Sequence, residues 1–165
     1  MYKRQLLGCG TILREVLAAA EQLESDHDVA ADVWSVTSFT ELARDGVETE
    51  RYNRLHPTEE ARRSYVGTQL DGRSGPAVAA TDYMRAFAEQ IRPYLPGAYT
   101  VLGTDGFGRS DYRVKLRRFF EVDRNYVTVA ALKSLADAGE IEPAAVQKAI
   151  ETYDIDPDRP APLRV

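Results

Sequence analysis

Val101-Leu102-Gly103-Thr104-Asp105-Gly106-Phe107-Gly108-Arg109-Ser110-Asp111 passes from a short apolar run into a glycine-rich polar turn, and a charged helical stretch follows. In an α/β fold the chain leaves the carboxyl end of a strand in this way, and crevices at such ends are where sites are built. Leu6-Leu7-Gly8-Cys9-Gly10 and Val33-Trp34-Ser35-Val36-Thr37-Ser38 have the same strand-then-turn form. The three turns are read as one edge of a sheet.

Working outward from these turns gives the remaining elements. Thr11 is expected to cap a first helix with Ile12, Val16, Ala19 or Ala20, and Leu23 on one face. A β-rich segment follows over Asp32–Thr37. Ser38 caps the next helix, with Glu41 in the capping-box position and Gly46 at its end. Asp71–Pro76 reads as a loop and Pro76–Thr81 as a buried strand. Asp82 is expected to cap the helix of Met84, Phe87, Ala88 and Ile91, which the prolines at 93 and 96 stop. Tyr99–Leu102 is the last strand. Ser110 or Asp111 caps a helix holding Val114, Leu116 or Arg117, and Phe120. Asp123 caps another that ends at Gly139, and Pro143 opens a final one. Strands alternating with helices predict parallel pairing. The fold class is α/β: a three-layer domain with a mostly parallel sheet of four or five strands, helices on both faces and a helical C-terminal end.

At 165 residues, with 44% hydrophobic and 28% charged residues, the chain fits one domain with a real core. The net charge of -5 speaks against a nucleic-acid partner and against an anionic membrane surface. Arg113, Lys115, Arg117 and Arg118 form a local basic cluster, read as a solvated or salt-bridged helix face. Cys9 is the only cysteine, so an intrachain disulfide is excluded, in keeping with a reducing compartment. No apolar stretch approaches the ~20 residues of a membrane helix, and no signal peptide is read; the expected location is cytoplasmic. Met1–Gln5 abut the first strand without a lead-in. They are read as a foreign or truncated start, with a single domain over residues 6–165.

Chemistry is sparse. His27 and His56 are the only histidines, and both are read as structural or surface residues. No metal-ligand spacing, nucleophile elbow, dinucleotide fingerprint or Walker-type phosphate loop is present. Cys9, between two glycines, is read as a small filler rather than a nucleophile. No catalytic, cofactor-binding or metal-binding residue is assigned. The turn Thr104–Asp111 keeps two readings. Functionally, its amides and Arg109 could receive an anion or a neighbouring domain. Structurally, Gly106 and Gly108 allow positive φ, Phe107 fills the core or an interface, and the acids cap the helix. The structural reading is preferred. Thr81-Asp82-Tyr83 is the same case on another strand. Several of the 9 tyrosines sit beside arginines, a weak pointer to a large contact with a partner.

Longer words of the sequence carry a resemblance. Leu6 to Val16, Trp34 to Gly46, Arg51-Tyr52-Asn53-Arg54-Leu55-His56-Pro57, Ala80-Thr81-Asp82-Tyr83-Met84 and Leu102 to Asp111 together resemble the homodimeric bacterial type of pyruvate dehydrogenase, the thiamin-diphosphate-dependent decarboxylating component of its complex. The likeness covers the chain from about Leu6 onward, but only that family's C-terminal, transketolase-type domain. The resemblance implies an enzyme that decarboxylates pyruvate on thiamin diphosphate and passes the two-carbon unit to a lipoyl group of the dihydrolipoyl acetyltransferase. It also implies that diphosphate and Mg²⁺ are held by an N-terminal domain, and that the activating glutamate comes from a middle domain. Thiamin diphosphate and Mg²⁺ are therefore expected in the parent enzyme and not on this chain alone. The implied partners are those two domains, a second subunit of a homodimer, and the acetyltransferase. Thr104, Asp105, Gly106, Phe107, Gly108 and Arg109 are the candidate domain-facing loop, and the isolated chain is expected to be inactive. The competing readings are a non-catalytic interaction module, the C-terminal domain of a transketolase or another 2-oxo-acid dehydrogenase, and an independent flavodoxin-like ligand binder.

Overall fold

The structure is a computed structural model that describes residues 2–73 and 75–164. Met1 of the expected start, Ser74 of the expected loop and Val165 lie outside the described residues. Four strands, β1 (Tyr2–Cys9), β2 (Val29–Val36), β3 (Ala77–Ala80) and β4 (Tyr99–Leu102), form one sheet in the order β2-β1-β3-β4. All three pairings are parallel, with Leu6 opposite Val33 and Val78, and Ala79 opposite Val101. The mostly parallel three-layer expectation therefore holds.

Alternation along the strands sorts the core. Leu6, Val78 and Ala80 face α1 (Leu13–His27), α6 (Arg124–Asp137) and α7 (Pro143–Thr152), where Val16, Leu23, Leu132 and Leu135 are fully buried. Leu7, Ala79 and Val101 face α2 (Phe39–Leu55), α3 (Tyr65–Gln69) and α4 (Arg85–Glu89), packing on Phe39, Val66 and Ile91. Neighbouring strand residues point to opposite faces, so one short apolar run feeds both layers. The remaining helix, α5 (Arg113–Phe119), follows β4 at the carboxyl edge.

Several boundaries differ from the sequence reading. β1 starts at Tyr2 rather than Gln5, and its N-terminal half pairs with Val29–Asp32. Arg4 is buried there, 3.1 Å from Glu140, and Trp34 donates to Gln5 at 2.7 Å. β2 begins at Val29, three residues earlier than expected. Gly46 does not end α2. It lies buried in mid-helix because the Tyr94 ring rests on it, and a Cβ there would stand 2.2 Å from Tyr94 Cε2. The helix runs on to Leu55 and stops at His56, where the following Pro57 removes the next donor. The short α3 carries no long periodic pattern; Ser64 caps it by accepting from Gly67 N at 3.2 Å. Ser38 and Asp123 cap as expected, accepting from Glu41 N at 3.2 Å and Tyr126 N at 3.1 Å.

Candidate functional site

Because every strand runs the same way, the turns after β1, β2, β3 and β4 gather on one edge, as the repeated strand-then-turn words foretold. From β1 the chain moves outward to β2, and from β3 it moves the other way to β4. The direction reverses between β1 and β3, and open α/β sheets place their crevices beyond the carboxyl ends at such a point.

The crevice here has a volume of about 520 Å³, lined by Thr11, Asp82, Thr104, Gly106, Gly108, Arg109, Arg113 and Arg117 among others. Thr11 does not cap α1, because a 3₁₀ turn over Gly10–Ile12 precedes that helix. Its hydroxyl instead donates to Asp82 Oδ2 at 3.2 Å and bridges the ends of β1 and β3. Asp82 likewise does not cap α4, whose N-cap is Met84. Its carboxylate approaches Gly10, which has φ +59 and so leaves the space a side chain would contest.

The candidate loop is held at one end and open at the other. Thr104 donates from its amide to Tyr83 O at 2.9 Å and from its hydroxyl to Asp82 O at 2.9 Å. Asp105 accepts from Arg85 N at 3.2 Å and pairs with the Arg85 guanidinium, so the cap of α4 comes from this loop rather than from Asp82. Gly103 packs so closely that a Cβ would lie 2.7 Å from Tyr83 O. Gly106, at φ +102, lets the chain turn under the C-terminal segment, where a Cβ would meet Pro162 O at 2.8 Å. Phe107 is 82% exposed and does not fill the core. Arg109 lies over the Phe119 ring at 4.7 Å. Neither Ser110 nor Asp111 caps α5: Tyr112 is its N-cap, and Asp111 only accepts from Tyr112 N at 2.8 Å. Val114 turns outward, 76% exposed, because α5 packs along Leu116 and Phe120 instead.

The basic cluster divides. Arg117 donates to Glu15 at 2.7 Å, and Arg118 lies 3.6 Å from Asp123 and donates to Tyr153 O at 2.7 Å. Arg113 and Lys115 stand in solvent. Burial pushes the Glu15 carboxyl up, but hydrogen bonds and charge from Arg124, then the charge of Arg117, outweigh it and hold the group below its usual range. For Cys9, burial and then the Asp82 carboxylate push the thiol up, which disfavours the nucleophilic thiolate. His27 meets the Tyr153 hydroxyl at 2.9 Å, and His56 stacks on Tyr52 at 4.0 Å, both away from the crevice. Sequence reading missed the Glu15–Arg117–Arg124 cluster and the capping by Asp105; both join residues far apart in the chain, and no local spacing marks them.

Among the described residues no group of three or more His, Cys, Asp or Glu side chains could hold a metal ion. Among the described residues, no helix is long and apolar enough to cross a membrane.

Residues 2–123 match the family model described as the transketolase-like TK C-terminal domain. The chain is 60% identical over 161 residues to the pyruvate dehydrogenase E1 component of Cupriavidus necator, covering 98% of this chain and 18% of that protein. The corresponding component of Pseudomonas aeruginosa is 60% identical over 160 residues, covering 96% and 18%. That of Escherichia coli is 56% identical over 161 residues, covering 97% and 18%. The chain thus spans about a fifth of the length of these relatives. Among solved structures, a split-gene transketolase described as an inactive beta4 tetramer aligns with TM-score 0.54 at 18% identity, covering 82% of this chain and 40% of that one. At that identity it supports the fold alone.

Proposed function

The chain belongs to the transketolase-like C-terminal domain family, and from that premise we propose that it serves as the C-terminal domain of a pyruvate dehydrogenase. That enzyme decarboxylates pyruvate on thiamin diphosphate with Mg²⁺ and acetylates the lipoyl group of a dihydrolipoyl acetyltransferase. In this reading the cofactor and metal sit on the N-terminal and middle domains, the enzyme is a cytoplasmic homodimer, and this chain contributes packing and dimer support rather than reacting groups. Identity of 60% across 98% of the chain, set against 18% of the relative's length, carries the proposal.

The loop Thr104–Arg109 is the face turned to the rest of the polypeptide. The exposure of Phe107 at 82%, Tyr112 at 80% and Val114 at 76% in and just after the loop, and of Leu163 at 60%, supports it, since exposed large apolar side chains favour a partner surface. The isolated chain is expected to show no turnover of pyruvate with thiamin diphosphate, Mg²⁺ and an artificial electron acceptor. Supplying it to a related pyruvate dehydrogenase that lacks its own C-terminal fifth should restore turnover, and Phe107→Asp should prevent this without lowering the melting temperature of the chain. Turnover by the chain alone, or failure to complement the shortened enzyme, would refute the proposal.

A further inference from the structure

We infer that the crevice beyond the carboxyl ends of β1 and β3 is a binding site for a small organic anion, one with a carboxylate or phosphate at one end and a hydroxyl donor at the other. Three separate observations converge there. The topology reverses at this point, and the segments that follow β1, β3 and β4 enclose the room together with α5. The room has the size of a small-ligand pocket, about 520 Å³. Its two walls are also chemically opposed.

On the wall made by α5 and the preceding loop stand Arg109, Arg113 and Arg117. Glu15 neutralises Arg117 from beneath at 2.7 Å. Among the described residues the Arg113 side chain has neither an ion pair nor a hydrogen bond, and Arg109 lies over the Phe119 ring, 4.7 Å from its centroid, with no ion pair or hydrogen bond. Two guanidinium groups without a hydrogen bond or ion pair among the described residues, beside a concave surface, favour a planar or tetrahedral oxyanion, which each can grip with paired donors. On the opposite wall the Asp82 carboxylate and the Thr11 hydroxyl form a joined pair at 3.2 Å. Asp82 accepts one hydrogen bond from Thr11 and keeps acceptor capacity for a donor on the ligand. An anion without such a donor would meet the Asp82 charge uncompensated, so the crevice selects a hydroxylated acid over a bare one. Leu116, Phe120 and Val122 supply the apolar floor between the walls.

The test is made on the 165-residue chain at low ionic strength, with two probes, malate and glycerol 3-phosphate, titrated calorimetrically and by amide chemical-shift change. Saturable binding of either probe is expected, with shifts at Thr11, Thr104 and Gly108, and the tighter of the two identifies the anionic group. Arg113→Gln should weaken that probe at least tenfold while leaving the melting temperature unchanged, because Arg113 holds no partner in the fold. Arg109→Gln should weaken it similarly, and Lys133→Gln, distant on α6, should not change it. Asp82→Asn should reduce the preference for malate over succinate, which lacks the hydroxyl. Absence of saturable binding of both probes at 10-fold molar excess and above, or binding indifferent to Arg109→Gln and Arg113→Gln, would overturn the inference. Neither result depends on complementation of a shortened enzyme, so this site and the assignment of the chain to a larger enzyme stand or fall separately.

Discussion

Glu15 and Arg124 grip one another across 109 residues: Glu15 Oε2 accepts from Arg124 Nε at 3.1 Å and from the Arg124 backbone amide at 3.2 Å. The second oxygen takes Arg117 at 2.7 Å, so one carboxylate ties α1 to both α5 and the start of α6. The folded state therefore holds Glu15 below its ordinary value, while the unfolded chain returns it to about 4.3. A depressed carboxyl contributes stability that is complete above the unfolded value and is lost as pH falls through the folded one. Urea midpoints should decline on acidification below about pH 4.3. In Glu15→Gln that decline should be shallower, and the stability at pH 7 lower by roughly 1–3 kcal/mol.

Asp105→Ala should destabilise the chain by about 0.5–2 kcal/mol, the usual worth of a cap, since it removes both the acceptor for Arg85 N and the ion pair with that side chain. Asp82→Ala should cost less, because Asp82 caps no helix. Equal losses in chemical denaturation would show that Asp105 has no capping role.

Gly46→Ala should be destabilising by about 1–3 kcal/mol despite the better helix propensity of alanine, because the new methyl meets the Tyr94 ring at 2.2 Å. The double variant Gly46→Ala with Tyr94→Leu should recover part of the loss. A thermal scan in which Gly46→Ala alone is neutral would place the ring elsewhere.

Cys9 should alkylate slowly. Burial and Asp82 raise its thiol, so the thiolate fraction near neutral pH is below that of a free cysteine. Iodoacetamide labelling at pH 8 should be slower than for a model thiol, and faster in Asp82→Asn.

Tyr153 should make the chain sensitive to alkali. Burial and then the Asp26 carboxylate push its phenol up to about 12. A raised phenol contributes stability that is complete below the unfolded value near 10 and is lost as pH climbs through the folded one. Tyr153→Phe should flatten the fall in melting temperature over that range.

The sheet order was half legible. Alternation of β-rich and helical words announced parallel strands, because a parallel pair needs a crossover and the helices are there to make it. Apolar periodicity also placed Ile12, Val16, Ala19 and Leu23 correctly in the core. Caps proved local only where the acid or hydroxyl follows the N-cap rule in its own turn, as at Ser38 and Asp123. Thr11, Asp82 and Asp111 satisfy the same rule on paper. In the fold Thr11 donates to Asp82 instead, and Asp111 accepts from the amide of its neighbour. Gly46 misled for a similar reason: a glycine near a helix end signals a stop, whereas a glycine beneath an aromatic ring signals contact, and a single sequence does not distinguish them. The candidate loop was legible as a place but not as an arrangement, since its partners Tyr83, Arg85 and Pro162 come from other segments.

The contact between Gly106 and Pro162 gives the carboxyl-edge turn a built-in lever. Displacing that turn changes the surroundings of the short 3₁₀ segment over Pro162–Arg164, whose Leu163 side chain is 60% exposed. A dye attached at Leu163→Cys, in a Cys9→Ser background, would thus brighten or dim with events several residues away, turning the tail into an optical gauge of the sheet edge.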